Sequence, residues 1–265
     1  MKKQSKFFLK RLLISMILFC SATIANESSI YLTSIANTAL HRFGTDPFPL
    51  TTIQGKHVRM VTFTNDNRFK ITDKKLSDTI WVTVEPEVKR RCRQYMTDHR
   101  HLTHRQLTEW IVKLLGLPAD QASSFRFVVM NVPVIQAYYG RSPKRIGIFR
   151  PCMDPRISPH PLTPTCPLQM NSLDTQISSD YKTWFINTSA ELYTSKKIGS
   201  PWTEYGYTYN WNSDAHTIYG VSEFVILKET PMTVLPNPNH PTTAYVEAEE
   251  YCTSKNSSIS LLNNS

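Results

Sequence analysis

The sequence lacks the short motifs that mark the common hydrolytic, zinc and nucleotide-binding sites. No G-x-S-x-G elbow, H-E-x-x-H helix, P-loop or G-x-G-x-x-G loop occurs in its 265 residues. Each of these motifs places a nucleophile, a zinc ion or a phosphate group through a particular local geometry. Their absence leaves no sequence basis for predicting a serine hydrolase, a zinc protease or a nucleotide-binding enzyme.

The N-terminus carries a targeting pattern instead of a structural one. Five basic residues precede the apolar run Leu12–Cys20, which is too short to span a bilayer as a mature helix. Small residues at 23–25 then match the positions that a signal peptidase reads. We predict a cleaved signal peptide at residues 1–25 and no transmembrane anchor in the mature chain. A lipoprotein signal through Cys20 is the alternative, although the bulky Phe19 precedes that cysteine.

Acidic residues are fewer than basic ones, but the excess comes largely from this leader. The whole chain has 30 Lys and Arg against 21 Asp and Glu, which gives a formal net charge of +9. Residues 1–25 contain five of the basic residues and none of the acidic ones, so the mature chain carries about +4. A mild positive charge favours contact with anionic surfaces without specifying one.

Cysteine is scarce, and its distribution agrees with export. Removal of the leader leaves Cys92, Cys152, Cys166 and Cys252, an even number that is typical of disulfides in an oxidising compartment. Of the three possible pairings we favour Cys152–Cys166 with Cys92–Cys252. The shorter loop would gain about 3 kcal/mol in the chain-entropy model. The C-x2-C spacing of zinc sites is missing, so we predict no metal and no cofactor.

Hydrophobic periodicity predicts a single secreted α+β domain at residues 26–252. The clearest helix follows Thr103, which forms a capping box with Gln106, and it stops at Gly116. We expect a mostly antiparallel or mixed sheet with about three helices and two disulfides. The Ser- and Asn-rich residues 253–265 are predicted to form a disordered tail. Further helices are predicted at 85–99 and 180–193, and strands at 57–64, 79–84, 125–133, 146–150, 205–209, 217–227 and 232–235.

Aromatic residues concentrate in the predicted β-hairpin at residues 201–226. Rings exposed on a rigid sheet suit sugar rings, peptides or a protein partner, and they can also stack on nucleic acid bases. We therefore predict a binding surface on this hairpin. Its predicted members are Arg126, Trp202, Tyr205, Tyr207, Tyr209 and Trp211.

The same hairpin supplies two candidate catalytic groups, His216 and Glu223. Seven residues separate them, so a regular strand would place them on opposite faces and a bulge near Gly220 would be needed to bring them together. Arg150 or Arg126 could add positive charge across the sheet. A histidine base, a carboxylic acid and an arginine suffice for metal-independent RNA cleavage. The competing interpretation is structural: the rings pack in the core and Glu223 pairs with a buried arginine.

Two other patterns resemble metal sites without meeting their requirements. His99, His101 and His104 span the start of a helix and need not converge, which favours a solvated basic face. The Asn-x-Asn-x-Asp pattern at 210–214 resembles the start of a calcium loop, but it lacks the required glycine and the terminal glutamate.

Several distinctive segments between residues 113 and 226 resemble a family of exported bacterial proteins of uncharacterised activity. The end of this pattern is also similar to some bacterial toxin-like domains, although Asn210 stands where that pattern has Asp. The resemblance implies one exported fold and brings no catalytic residues. The matching segments are Leu114–Pro118, Phe125–Phe127, Phe149–Pro155, Cys166-Pro167, Trp184-Phe185, Pro201–Thr203, Gly206–Trp211 and Gly220–Val225.

Two hypotheses for function follow from these observations, beside a structural one in which the chain is an envelope protein with no catalysis. The first is a secreted or periplasmic, metal-independent hydrolase or nuclease of toxin-like ancestry that uses His216, Glu223 and Arg150. The second is a non-catalytic binding protein that recognises a glycan or a host protein through the aromatic hairpin. The partner would be a nucleic acid in the first case and a glycan or protein in the second.

Overall fold

A computed structural model describes residues 28–39, 50–51, 53, 56–75, 77–133, 148–149, 151, 187–193, 199–226 and 228–254 of the chain. These residues form the predicted α+β fold, in which every strand pairing is antiparallel. The strands are β1 (His57–Thr64), β2 (Ile80–Val84), β3 (Arg126–Pro133), β4 (Ile148–Phe149), β5 (Tyr207–Tyr209), β6 (Tyr219–Ile226), β7 (Thr233–Val234) and β8 (Tyr245–Val246).

The strand order along the sheet is β4-β6-β2-β1-β3-β7, with β5 paired to β6 and β8 paired to β3. The hairpin of β5 and β6 is therefore present as predicted, and its longer strand β6 lies inside the sheet beside β2. The helices are α1 (28–39), α2 (Glu85–Asp98), α3 (His104–Leu114), α4 (187–193) and α5 (Ala248–Thr253), with a 3₁₀ turn at Ala119–Ser124.

Alternation along the strands produces two cores, one on each face of the sheet. On β1, Val61 and Phe63 pack against the helices, whereas Met60 points to the opposite face. On β6, Val221 faces the helices and Phe224 faces away from them. This period of two follows from strand geometry, because successive side chains point to opposite sides of the pleat. Odd-numbered residues of β1, β2 and β6 therefore share the face that α2, α3 and α5 cover.

Helix α3 forms as its sequence predicts. The Thr103 hydroxyl accepts from the Gln106 backbone, and the Gln106 side chain accepts from the Thr103 backbone, which completes the capping box. Leu107 and Ile111 are fully buried on its apolar face. The chain then turns at Gly116, whose φ of +72° favours glycine. That turn directs the following residues back over the sheet.

The predicted disulfide between Cys92 and Cys252 is present, with Cα atoms 5.7 Å apart. It ties α2 to α5, a six-residue helix that hydrophobic periodicity does not predict because it is shorter than two turns. Cys152 and Cys166 lie outside the described residues, so their pairing stays a prediction. Within the described ranges, no helix combines the length and apolar character needed to cross a membrane.

Candidate functional site

A cavity of about 330 Å³ lies between the helix-facing side of the sheet and the chain that follows α3. Its walls are mostly apolar and aromatic, with hydroxyl side chains and Arg68 among them, and they contain a single carboxylate among the described residues, that of Glu223. The lining includes Phe63, Trp81, Thr83, Leu117, Trp202 and Glu223.

The sheet register explains why Glu223 reaches this cavity. Val61 on β1 is opposite Thr83 on β2, and Thr83 is opposite Glu223 on β6. The three residues form one row across neighbouring strands, and all point to the helix-covered face. A carboxylate therefore occupies a position where the neighbouring strand supplies threonine and the strand beyond it supplies valine.

The Glu223 carboxylate has one specific hydrogen-bond donor among the described residues. The indole Nε1 of Trp202 donates to its Oε2 at 3.0 Å. Burial raises the pKa of Glu223 from 4.5 to about 8, because an apolar environment penalises the charged form, while the Trp202 hydrogen bond lowers it. At neutral pH the group is therefore largely a neutral carboxylic acid that can donate a hydrogen bond into the cavity.

Trp202 occupies its position through contacts on several sides. Its ring meets Trp81 edge-on, with ring centroids 5.4 Å apart. Its backbone forms an isolated bridge with Thr208, which holds it beside the hairpin. The Tyr193 hydroxyl donates to the Trp202 carbonyl oxygen, so α4 also holds the backbone of Trp202 in place. The geometry of the Trp202–Glu223 pair is thus set by three separate segments.

Another carboxyl group, that of Glu204, lies two residues after Trp202 in the segment that precedes β5. It is 2% exposed, and the Ser189 hydroxyl donates to its Oε1 at 2.5 Å. Burial raises its pKa, and hydrogen bonds from Ser189 and Tyr193 oppose that shift. The backbone of Glu204 has a φ of +60°, which is uncommon for a non-glycine residue. Tyr193 also lies near Glu223, and the pKa of its hydroxyl is raised by burial and then by the charge of Glu204 and of Glu223.

Close packing at Gly220 positions β6 against the end of α3. A Cβ atom there would lie 2.1 Å from Thr208 Oγ1 and 2.3 Å from the Leu114 carbonyl oxygen. Thr208 Oγ1 itself donates to that carbonyl oxygen at 2.8 Å and accepts from the Val221 backbone at 2.9 Å. Only glycine allows β5, β6 and α3 to meet here.

His216 does not line the cavity with Glu223. It is exposed in the loop that precedes β6, whereas Glu223 lies inside the sheet. Arg150, the third predicted catalytic residue, lies outside the described residues. The register shift between Tyr207 and Tyr209 does not bring the histidine to the carboxylate's side. The cavity accordingly contains Glu223 and lacks His216.

The expectation of an exposed aromatic surface on the hairpin is wrong. All five predicted rings are buried, with exposed fractions of 7% or less. Tyr209 and Trp211 pack against α1, and Trp211 donates through Nε1 to the Leu117 carbonyl oxygen at 3.1 Å. Tyr205 and Tyr207 pack with Tyr219 in a separate cluster, and Trp202 packs on Trp81. The buried rings are Trp202, Tyr205, Tyr207, Tyr209 and Trp211.

Arg126 belongs to a different part of the surface from the hairpin. Its guanidinium lies 4.3 Å from the centroid of the Tyr245 ring and donates to the Asn67 side chain. The arginine therefore links β3 to β8, which carries Tyr245, and to the segment that carries Asn67.

The histidine pattern does not converge on one site. His104 Nδ1 lies 2.7 Å from a carboxylate oxygen of Glu249, whereas the His99 ring packs on Tyr95. Asn212 donates to Asn210 Oδ1 at 2.8 Å, so these two side chains hold a turn together. Among the described residues, no three His, Cys, Asp or Glu side chains are grouped as a metal site requires.

Sequence reasoning identified Glu223 but missed its environment. Trp81 and Thr83 carry no local signal of a site, because they reach the cavity only through strand pairing. Glu204 stands in the aromatic segment that was singled out, and its position between Thr203 and Tyr205 gives no hint of its positive φ. No protein family, curated protein or solved structure matches this chain.

Proposed function

We propose that this chain is an exported protein that binds a small, largely apolar molecule in the cavity beside Glu223. The observation that carries the proposal is a titratable carboxyl group, with a pKa of about 8, at the wall of an apolar cavity. Ligand sites commonly combine apolar walls with a few well-placed polar groups. Glu223 would supply the polar contact, and Trp81 and Trp202 would supply aromatic surface.

The protonated state of Glu223 specifies the kind of ligand. A neutral carboxylic acid whose Oε2 already accepts from Trp202 can donate its proton to a carbonyl or ether oxygen. The cavity volume of about 330 Å³ falls at the small end of the usual range for ligand pockets. A compact aromatic or aliphatic molecule with one hydrogen-bond acceptor fits both requirements.

Export is supported by the leader pattern at residues 1–25 together with the Cys92–Cys252 disulfide. Disulfides persist in oxidising compartments such as the periplasm and the extracellular space. Expression with the leader, followed by cell fractionation and mass measurement, tests this part of the proposal. A periplasmic or secreted form that begins at residue 26 would support it, and an uncleaved cytosolic form would contradict it.

Ligand binding can be tested with acetophenone and ethylbenzene, two probes of similar shape that differ in a carbonyl acceptor. We expect acetophenone to shift the indole N–H signals of Trp81 and Trp202 in a saturable NMR titration at pH 6. Binding should weaken about tenfold at pH 9.5 and in Glu223→Leu, because the donor proton is then lost. Ethylbenzene binding should not depend on pH. The absence of shifts with either probe would contradict the proposal.

A hydrolytic activity is the second candidate, and the pKa of Glu223 favours it. A carboxyl group with a pKa near the working pH is suited to general acid or base catalysis. In such a reaction Glu223 would protonate the leaving group and recover its proton from water. Turnover of p-nitrophenyl acetate that follows a pKa near 8 and disappears in Glu223→Gln would support this role. Equal rates in the variant and the wild type would contradict it.

A further inference from the structure

A second concave surface runs along the outer side of α2, away from the Glu223 cavity. It encloses about 540 Å³ and is lined by charged and polar side chains. Arg90, Arg93, Gln94 and Thr97 are all exposed, and each lies three or four residues from two of the others. Such residues lie on one face of a helix, with Cβ atoms about 5–6 Å apart between neighbours. The groove therefore presents polar and cationic side chains along one face of α2.

The acidic groups near this groove are already used inside the protein. Glu85 accepts from Arg59 at 2.6 Å and from Lys89 at 2.9 Å, so one carboxylate is shared by two cations. The Glu87 carboxylate accepts from the Thr51 hydroxyl at 2.7 Å and from the Ser222 backbone N–H at 3.1 Å.

The groove consequently keeps a positive charge that its own carboxylates do not balance. Among its lining residues the carboxylate of Glu87 stands against the cations of Lys89, Arg90 and Arg93, and Asp98, which accepts from Gln94 at 2.8 Å, lies at the end of α2. The surplus lies on the exposed side, with the two arginines of the helix face. Such a concave cationic surface concentrates anions.

Arg93 is held in place by the C-terminal helix. Its Nε donates to the Cys252 carbonyl oxygen at 3.1 Å, and one terminal nitrogen donates to the Ser254 carbonyl oxygen at 2.8 Å. The Cys92–Cys252 disulfide joins the same two helices one residue away. A side chain fixed in this way loses less conformational entropy when it binds a ligand. The guanidinium keeps further donors for that ligand.

We propose that this groove binds an anion that carries two adjacent phosphate groups. Planar guanidinium groups pair with phosphate oxygens through parallel hydrogen bonds, which favours phosphate over a single carboxylate. Arg90 and Arg93, one helical turn apart, would each contact one phosphate. Gln94, whose amide nitrogen has a second N–H beside the one it donates to Asp98, would donate to one of the oxygens that remain. This site is separate from the Glu223 cavity, and neither proposal depends on the other.

Calorimetric titration of the mature, disulfide-bonded protein with inorganic pyrophosphate tests the site. We expect saturable binding at low salt that weakens as the NaCl concentration rises, because exposed ion pairs are screened. The Arg90→Gln/Arg93→Gln variant should lose at least about tenfold in affinity. Arg90→Gln alone should lose a smaller factor and leaves the contacts of Arg93 with α5 intact. Arg100→Gln, an exposed cation beyond the end of α2, removes the same charge and should bind like the wild type.

Vesicles that contain cardiolipin, whose headgroup carries two phosphates, distinguish a lipid headgroup from a soluble phosphate. If they displace pyrophosphate from the wild type, the natural ligand includes a headgroup; if they do not, the ligand is a soluble polyphosphate. The site is disproved if pyrophosphate and the vesicles both fail to bind. It is equally disproved if Arg100→Gln loses as much affinity as the groove variants, because the effect is then one of net charge. Circular dichroism spectra that match the wild type exclude misfolding of the single variant.

Discussion

The indole Nε1 of Trp202 donates a 3.0 Å hydrogen bond to Oε2 of Glu223, and both side chains line one cavity. The pairing crosses 21 residues of sequence and joins the start of the hairpin to its long strand. It orients one carboxyl oxygen toward the indole and leaves the other available to the cavity. A group in that position can bind or protonate a ligand, and its ionisation can be followed through protein stability.

Glu223→Gln should alter how stability depends on pH. The folded-state pKa of about 8 exceeds the unfolded value of 4.5, so the folded protein binds an extra proton between these pH values. The wild-type free energy of unfolding should therefore fall, relative to that of the variant, as pH rises from 4.5 to 8. The difference should be on the order of a few kcal/mol. Urea unfolding measured across this range gives the comparison.

The control for this measurement is Glu191→Gln, an exposed carboxylate on α4. This variant removes the same charged group from the surface and leaves the cavity unchanged, so it measures the effect of the charge change alone. An equal pH dependence in Glu223→Gln and in this control would contradict a raised pKa of the cavity carboxyl. The pKa of Glu85 is lowered, because hydrogen bonds from Arg59 and Lys89 outweigh its burial, so its effect on the pH dependence of stability is opposite to that of Glu223. Comparison of each variant with the wild type cancels this contribution of Glu85.

Trp202→Phe should move the Glu223 transition to higher pH. The Trp202 hydrogen bond stabilises the carboxylate, so its loss should raise the pKa of Glu223 further above about 8. The smaller ring should also cost about 1–3 kcal/mol of stability at every pH. The same unfolding series provides both quantities. Trp110→Phe, which changes a ring stacked on Tyr95, should reduce stability without moving the transition. A shift of equal size in both variants would argue against a direct Trp202–Glu223 effect.

Removal of the Cys92–Cys252 disulfide should be strongly destabilising. The bond closes a loop across 160 residues, which corresponds to about 5 kcal/mol in the chain-entropy model. Cys92→Ala/Cys252→Ala should therefore unfold at a clearly lower guanidinium concentration than the oxidised wild type. A peptide map without reductant should contain the cross-linked pair in the wild type. Matching unfolding midpoints for the two proteins would mean that the bond does not form in solution.

Gly220→Ala should destabilise the fold more than a substitution that only strains the backbone. The new Cβ would meet Thr208 Oγ1 at 2.1 Å and the Leu114 carbonyl oxygen at 2.3 Å, so β6 and α3 must move apart. We expect a loss of about 3 kcal/mol or more, measured by thermal unfolding. Gly116→Ala, at a φ of +72° with neighbours no closer than 3.3 Å, should lose about 1–2 kcal/mol. A smaller loss for Gly220→Ala than for Gly116→Ala would contradict the close packing at β6.

Local sequence signals predicted the elements that local physics controls. The capping box of Thr103 and Gln106 and the stop at Gly116 bounded α3 correctly, because the interactions that define these points lie within a few residues. Strand β1 was predicted over its exact range from alternation alone. Helix α5 was missed, since its six residues owe their conformation to contacts with Phe127 and to the disulfide at Cys252.

The candidate site was predicted in part for the same reason. Glu223 stood out as a carboxyl group within an aromatic segment. Its partner Trp202 and its neighbour Thr83 are both distant from it in the sequence, so local patterns do not reveal these contacts. The hairpin rings were expected to be exposed because alternation in a strand identifies two faces without saying which one is covered. Their burial follows from contacts with α1, with Tyr219 and with Trp81, which alternation within a strand does not encode.

By itself, the amino-acid sequence determined the fold class, the capped helix α3, the hairpin and the even set of cysteines beyond the leader, because each depends on residue type and short spacing. Tertiary structure alone decided that Glu223 faces an apolar cavity, that His216 remains outside it and that the two carboxylates near α2 are used by Arg59, Lys89 and Thr51. The physical reason is that a pKa depends on which groups surround an atom in space, and strand register and helix packing bring those groups together from distant parts of the chain.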